Sequence, residues 1–258
     1  MTIDHHLREK LKALKLSGIL HTLDVRVAQT QNGEIGTLEF LHLILQDEIE
    51  RRAATAAAQR IQKAAFQEEK TLEGFDFGAL PKLRPTLIRD LATCTFIDRR
   101  ESVILYGPTG VGKTHVAQGL GHMACRQGYR VLFTKVGKML RSLLAARADQ
   151  TWEKAIRRYI APDVLILDDF GLSGFSQLQG EDLYEIVSER GMKASTIITS
   201  NRPVQDWLGL FPDPVMAQAV VDRLRQNAHL VVMEGDSYRG RYRPGGATEA
   251  KKTKEEQE

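Results

Sequence analysis

The stretch GPTGVGKTH, residues 107–115, combines residue types and a spacing that imply chemistry. A glycine, four residues and then Gly-Lys-Thr is the pattern of a loop that surrounds phosphates with backbone N–H groups. Glycines at 107, 110 and 112 permit positive φ and bring bare backbone up to oxygen atoms where a Cβ would collide. Lys113 is expected to reach the β- and γ-phosphates of a nucleotide, and the Thr114 hydroxyl to ligate Mg²⁺. The β-prone run Val103, Ile104, Leu105, Tyr106 precedes the loop, and a helix starts at Thr114. That helix adds its positive N-terminal partial charge beneath the phosphates. Without this context the same glycines would read as an ordinary turn between strand and helix.

Two further segments carry groups suited to such a site. In DVLILDDFG an apolar strand ends in Asp168 and Asp169, whose carboxylates would lie beside the loop at the strand's C-terminal end. Asp168 is the candidate for holding Mg²⁺, and Asp169 for orienting or polarising the attacking water. In STIITSNRP a second β-run ends in Asn201, whose amide would sense the γ-phosphate or the lytic water. Arg223, in VVDRLRQ, is a candidate for insertion into a neighbouring subunit's site, where a guanidinium stabilises charge during phosphoryl transfer. Taken singly, adjacent acids begin many solvated turns, Asn before Arg-Pro is common turn chemistry, and a helical Arg often serves a surface ion pair.

The elements that must position these groups show in the periodicity. Strand-like runs at 103–106, 130–134, 164–167 and 196–199 alternate with helical stretches, which predicts a parallel sheet flanked by helices on both faces. Gly128 is placed to end the helix after the phosphate loop. Upstream, Leu7, Leu11 and Leu14, and then Leu38, Leu41, Leu45 and Ile49, repeat with helical period, so residues 1–70 read as a small all-helical N-terminal domain. Thr37 is a plausible N-cap for the second of these helices. Helical periodicity stops around TLEGFDF, residues 71–77, where Gly74, Gly78, Pro81 and Pro85 cluster, and the domain boundary is placed there. The main domain then spans 71–243, and the small, charged tail 244–258 is expected to be disordered.

Composition bounds the alternatives. The 258 residues are 42% hydrophobic, enough for a packed core, and no apolar run approaches the ~20 residues that cross a bilayer. No membrane is therefore expected, and with no signal-peptide core at the N-terminus the expected location is cytoplasmic. Cys94 and Cys125 lie far apart without a ligand pattern, so reduced buried thiols are expected rather than a structural zinc. Net charge is only +3, but Arg51, Arg52, Arg60 and Lys63, and again Arg239, Arg241 and Arg243 with Tyr238 and Tyr242 interleaved, form basic clusters suited to nucleic-acid phosphates. Either cluster could equally be a solvated face.

The segments SGILHTLD, TLEGFDF, ILYGPTGVGKTHVAQGLG, LILDDFG, ITSNRP and VVDRLRQNAHLVVMEGDSYR, in this order, resemble AAA+ ATPases. They are most similar to the IstB-type helper ATPases of bacterial insertion sequences and their relatives, the DnaC-type helicase loaders. The resemblance runs from about Leu14 to Arg239. It implies an AAA+ P-loop ATPase fold that binds ATP through Gly107, Pro108, Thr109, Gly110, Val111, Gly112, Lys113, Thr114 and His115. Thr114 and Asp168 would bind Mg²⁺, Asp169 would complete the acidic pair, Asn201 would be sensor 1 and Arg223 the trans-acting arginine finger. Arg239 is similar to a C-terminal arginine that serves as sensor 2. Two features depart from the wider AAA+ pattern: Asp169 stands where many members have Glu, and few residues follow GDSYR to form a helical lid. The function implied is a transposition helper that assembles as a ring or filament on double-stranded DNA and recruits a partner transposase. A replicative helicase loader is the alternative, and a small-molecule kinase on the same loop is a third.

Overall fold

The β-branched and leucine-rich runs alternate their side chains between two apolar layers, as a strand covered on both faces must. Val103 and Leu105, Val131 and Phe133, Val164 and Ile166, and Ile197 face one layer. Ile104, Leu132, Leu165, Leu167 and Ile198 face the other. The computed structural model describes residues 5–80, 83–235 and 237. Their element order is α1 (His5–Ala13), α2 (Ser17–Gln31), α3 (Thr37–Lys63), α4 (Pro85–Ala92), α5 (Thr95–Asp98), β1 (Ser102–Tyr106), α6 (Lys113–Arg126), β2 (Val131–Lys135), α7 (Val136–Ala148), α8 (Trp152–Ile160), β3 (Val164–Phe170), α9 (Gln177–Arg190), β4 (Ser195–Ser200), α10 (Pro214–Arg225) and β5 (Ala228–Val232), with short 3₁₀ turns at Phe77–Ala79 and Val204–Leu210. The strands form one sheet in the order β2-β3-β4-β1-β5, parallel at every pairing.

This is the AAA+ P-loop architecture expected from the alternation and the resemblance. The fifth strand, Ala228–Val232, is absent from the sequence reading: it lies at the sheet edge, only Val231 is fully buried, and His229 interrupts its apolar run. Helix α6 ends as expected at Gly128, which takes φ +104 while its N–H donates to the Cys125 carbonyl and the Tyr129 N–H to that of Ala124. Helix α9 begins on a capping box, with the Ser176 hydroxyl and the Gln179 side chain each accepting from the other's backbone N–H.

The chain divides into two compact units, Met1–Gln59 and Arg60–Glu258. Within the first, Gly18 is required because a Cβ there would stand 2.6 Å from the Asp47 carbonyl oxygen. The approach lets the buried Glu48 carboxylate accept the N–H groups of Gly18 and Ile19 at the start of α2, at 2.7 and 3.4 Å. Helix α2 itself was not read from the sequence. The stripe Leu38, Leu41, Leu45 and Ile49 that marked α3 is exposed, Leu38 at 83%, so its periodicity identified a helix but not a core-facing side. Packing places the division near residue 60, ahead of residue 70 where the helical period stops. The intervening segment belongs with the sheet: Ala64 is fully buried and its carbonyl accepts the Phe133 N–H, and Phe66 stacks on His122 with centroids 4.3 Å apart. Cys94 and Cys125 are both buried.

Candidate nucleotide site

The loop between β1 and α6 is pinned at its first residue. The Gly107 N–H donates to the Ser200 carbonyl at the end of β4, and a Cβ at Gly107 would stand 2.0 Å from the Met233 carbonyl oxygen, so only glycine passes there. Gly112, at φ +92, leads directly into α6. The Lys113 ammonium donates to the Gly107 and Pro108 carbonyls at 2.8 and 2.7 Å, which holds a nearly buried cation at the loop.

Asp168, at the end of β3, is 1% exposed. One of its oxygens accepts two hydroxyls, from Thr114 at 2.7 Å and Thr199 at 2.6 Å. The first residue of α6 to carry a hydroxyl and the buried acid are thus brought together. The β3–β4 register slips between Leu167 and Phe170, and Asp169 takes φ +60, a conformation Asp tolerates. This bulge turns the two neighbouring carboxylates apart: Asp168 points inward, whereas Asp169 lines the cleft and pairs with the Lys135 ammonium at 2.9 Å. The Asp169 N–H is fixed by the Thr199 hydroxyl at 3.1 Å. Hydroxyl and carboxylate oxygens from Thr114 and Asp168 suit Mg²⁺, which takes few protein ligands and completes its shell with water and phosphate. No group of three or more His, Cys, Asp or Glu able to hold a metal occurs among the described residues.

These groups edge a cleft of about 530 Å³ whose lining includes Thr109 to His115, Asp169 and Asn201. Asn201 follows β4 directly and reaches the cleft from the strand between β1 and β3. Lys70, from the end of the helical region, and Gly74, Phe75 and Asp76, from the TLEGFDF segment that marks the boundary and the family resemblance, also line the cleft, and none of them is among the expected site residues. Phe75 lies against the loop, where a Cβ on Gly112 would be 2.7 Å from its ring, and packs edge-on to Phe77 and His115 at 4.9 and 5.2 Å. His115 Nε2 lies 2.8 Å from the Thr71 carbonyl oxygen, and the Gln118 amide oxygen accepts the Gln67 and Glu68 N–H groups. At the outer end of this strap, the backbone N–H of Glu73, the Arg126 guanidinium and the Thr71 hydroxyl hold the Glu73 carboxyl down to about 2. The aromatic pair of GFDF is the signal for this wall, and the surrounding glycines and prolines mask it in a local reading.

Arg223 does not line this cleft. It sits near the end of α10, its guanidinium over the Tyr184 ring at 5.0 Å and donating to the Ala219 carbonyl at 3.0 Å. Arg239 falls outside the described residues, as do the basic cluster around it and the tail.

A phosphate loop after β1, an acid pair at the end of β3 and the order β2-β3-β4-β1-β5 define an AAA+ P-loop domain. The chain belongs to the IstB-like ATP-binding proteins, whose family model matches residues 9–245. It is 49% identical over 246 residues to a protein named for ATP binding in an insertion sequence of Mycobacterium tuberculosis, covering 95% of this chain and 98% of that one. It is 34% identical to the insertion sequence IS21 ATP-binding protein of Pseudomonas aeruginosa, over 91% and 89% of the two chains. Among solved structures, AMPPCP-bound DnaA from Aquifex aeolicus shares the fold at a TM-score of 0.57 and 23% identity, over 69% of this chain and 54% of that one. The DnaC helicase loader does so at 0.51 and 22%, over 58% and 87%. No helix among the described residues is long and apolar enough to cross a membrane.

Proposed function

We propose that this chain hydrolyses Mg²⁺-ATP as a subunit of an assembly on duplex DNA, and that the assembly recruits and activates a partner transposase. The observation that carries the hydrolytic reading is the division of labour at the β3 bulge: one oxygen of the buried Asp168 accepts the Thr114 and Thr199 hydroxyls, while Asp169 faces the cleft. A buried acid bound to Thr114 is suited to metal, and an acid in the cleft is suited to water. When bound, the Mg²⁺ would neutralise charge developing on the phosphates. Lys113 would exchange the loop carbonyls for phosphate oxygens, the loop N–H groups would orient the phosphates, and Asn201 would report the γ-phosphate. Lys135 pairs with Asp169 at 2.9 Å and orients that side chain along the cleft wall. Arg223, absent from its own chain's cleft, is suited to act in a neighbour's, and Arg239 is a further candidate for sensing nucleotide.

Membership in an insertion-sequence family supports the transposition role over a kinase or a loader. The helical region is proposed as the DNA-contacting part, through Arg51 and Arg52, which are exposed. Such contacts to phosphate would carry little sequence preference. In this reading the natural setting is the cytoplasm, where DNA and ATP meet.

Lys113→Ala should lose ATP binding by calorimetry, and Asp169→Asn should bind ATP yet turn over slowly. Arg223→Ala should bind ATP but lose ~10³-fold in DNA-stimulated turnover, the size of a transition-state arginine. Mixing Arg223→Ala with Lys113→Ala should restore activity by rebuilding complete interfaces. Absence of rescue in confirmed mixed assemblies would overturn the trans role, and rescue that needs no DNA would favour a loader templated by protein.

A further inference from the structure

A second pocket, of about 210 Å³, opens at the amino ends of the strands, where β1 starts at Ser102, β4 begins near Thr196 and Arg223 lies in the last turn of α10. Arg100, Arg190 and Arg223 line it, and no carboxylate does. Arg190 is buried and directs its donors to the carbonyls of Tyr159, Ile160, Pro162 and Ser195 and to the Thr196 hydroxyl. It contributes positive field rather than a contact. Arg100 and Arg223 are exposed, and neither has a carboxylate at ion-pair distance among the described residues. Each uses a single main-chain acceptor: Ile97 for Arg100 at 3.4 Å, Ala219 for Arg223 at 3.0 Å. The Tyr184 ring under Arg223 orients that guanidinium further. The Ser188 hydroxyl in the same wall is buried and has no hydrogen-bond partner.

The mouth itself holds no acid, although Asp163 lies close enough to Arg100 and Arg190 to interact with both, and an anion between the exposed guanidiniums would stabilise them. Planar forks with several unused N–H groups match phosphate oxygens, and an unpaired buried hydroxyl is a further donor. The volume corresponds to about seven waters at ~30 Å³ each, room for a terminal phosphoryl group and some of its hydration. A nucleotide in the chain's own cleft would lie at the opposite ends of the strands, so a nucleotide phosphate in this pocket would come from another copy.

We infer that Arg100 joins Arg223 as a second contact to the terminal phosphate of a nucleotide bound by a neighbouring copy. This rests on the reading of Arg223 as a trans-acting arginine. Turnover on long duplex DNA tests it. Arg100→Ala should bind ATP as the unaltered chain does and lose at least ~10-fold in DNA-stimulated turnover, the loss of one charge-assisted hydrogen bond. Mixing it with Lys113→Ala should restore activity, because the defects lie on opposite sides of the interface. Mixing it with Arg223→Ala should not, because every interface then lacks one of the two arginines. If Arg100→Ala keeps full turnover where Arg223→Ala has lost it, the second contact is wrong and the trans-arginine reading stands. If both keep full turnover, the trans-arginine reading itself fails. Loss in Arg100→Ala without rescue by Lys113→Ala, or rescue by Arg223→Ala, also overturns the inference. Arg100→Gln replaces Arg100→Ala if the latter melts at lower temperature. Sedimentation separates phosphate from a neighbour's carboxylate: the variant should weaken assembly with a non-hydrolysable ATP analogue but not with ADP, and equal weakening with both would assign the pocket to a carboxylate.

Discussion

Replacing Gly112 by Ala tests whether the TLEGFDF strap covers the phosphate loop. Gly112 stands at φ +92, where an L-residue costs ~1–2 kcal/mol. The new Cβ would lie 2.7 Å from Phe75 Cε2, against an ordinary carbon contact of ~3.5–4.0 Å, so the ring must move by about 1 Å. A ring is the movable end of its side chain, and the cost is therefore set by the edge contacts it gives up, to Phe77 and His115. At ~0.5–1.5 kcal/mol per aromatic pair, displacement puts about 1–3 kcal/mol at risk, and Gly112→Ala should destabilise by about 2–5 kcal/mol in all.

Phe75→Ala, which removes a half-buried ring and the same two contacts, should cost about 2 kcal/mol. The double variant keeps the backbone strain but has no collision and loses the edge contacts only once. It should therefore be more stable than the sum of the single effects predicts, by about 1–3 kcal/mol. Urea unfolding followed by tryptophan fluorescence suits the measurement, because Trp152 and Trp207 both lie in the sheet unit. Additivity within ~0.5 kcal/mol would refute the contact between strap and loop.

With burial pushing the Cys94 and Cys125 thiols up to about 11, about one in a thousand should be ionised at pH 8, so a thiol reagent should label the native chain slowly and the urea-unfolded chain at once. Glu73 is depressed from 4.5 to about 2 in the folded chain, so its stabilising contribution is complete above pH 4.5 and is lost as pH falls toward 2. Glu73→Gln should accordingly flatten the stability–pH slope in that window, read as the difference from the unaltered chain, with a small amplitude because the side chain is 62% exposed. Arg190→Ala would strip a partner from four main-chain carbonyls, two of them buried and two part-buried, and should destabilise by ~3–5 kcal/mol in thermal melts. Arg190→Lys should recover only part of this, since an ammonium offers three donors in place of five.

What was legible in the sequence is what backbone chemistry dictates locally. Amides can close around phosphate only where glycines recur at 107, 110 and 112, and a strand buried on both faces must read as VLIL before its acids. The order of β1, β3 and β4 then places Lys113, Asp168 and Asn201 on one edge without further information. Contacts that join distant segments left no such trace. Lys135 meets Asp169 from 34 residues away because β2 and β3 are neighbours in parallel register, and nothing at position 135 alone announces an ion pair. Phe75 was hidden by its glycine-rich setting, and β5 by its place at an edge, where half the side chains are wet. The leucine stripe of α3 illustrates another limit: period 3.6 identifies a face but not what covers it.

The polarity of the sheet constrains any assembly that uses these groups. All five strands run parallel, so the loop, the acid pair and Asn201 gather at their carboxyl ends, while Ser102, Thr196 and Arg223 gather around the pocket at the amino ends. A copy that offers its arginines to a neighbour's cleft must therefore use a different surface from the one it offers in return. Such a contact is heterologous: a two-fold dimer cannot satisfy it at both sites with the same patch, and repetition leads to a closed ring or an open helix. In a finite open chain, the copy at one end keeps a cleft that receives no arginine. Turnover per subunit should then rise with DNA length toward a plateau, because the fraction of incomplete clefts falls as the reciprocal of the number of copies in a row. A rate per subunit independent of DNA length, once DNA is long enough to hold two copies, would be incompatible with an open row and would leave only a closed ring.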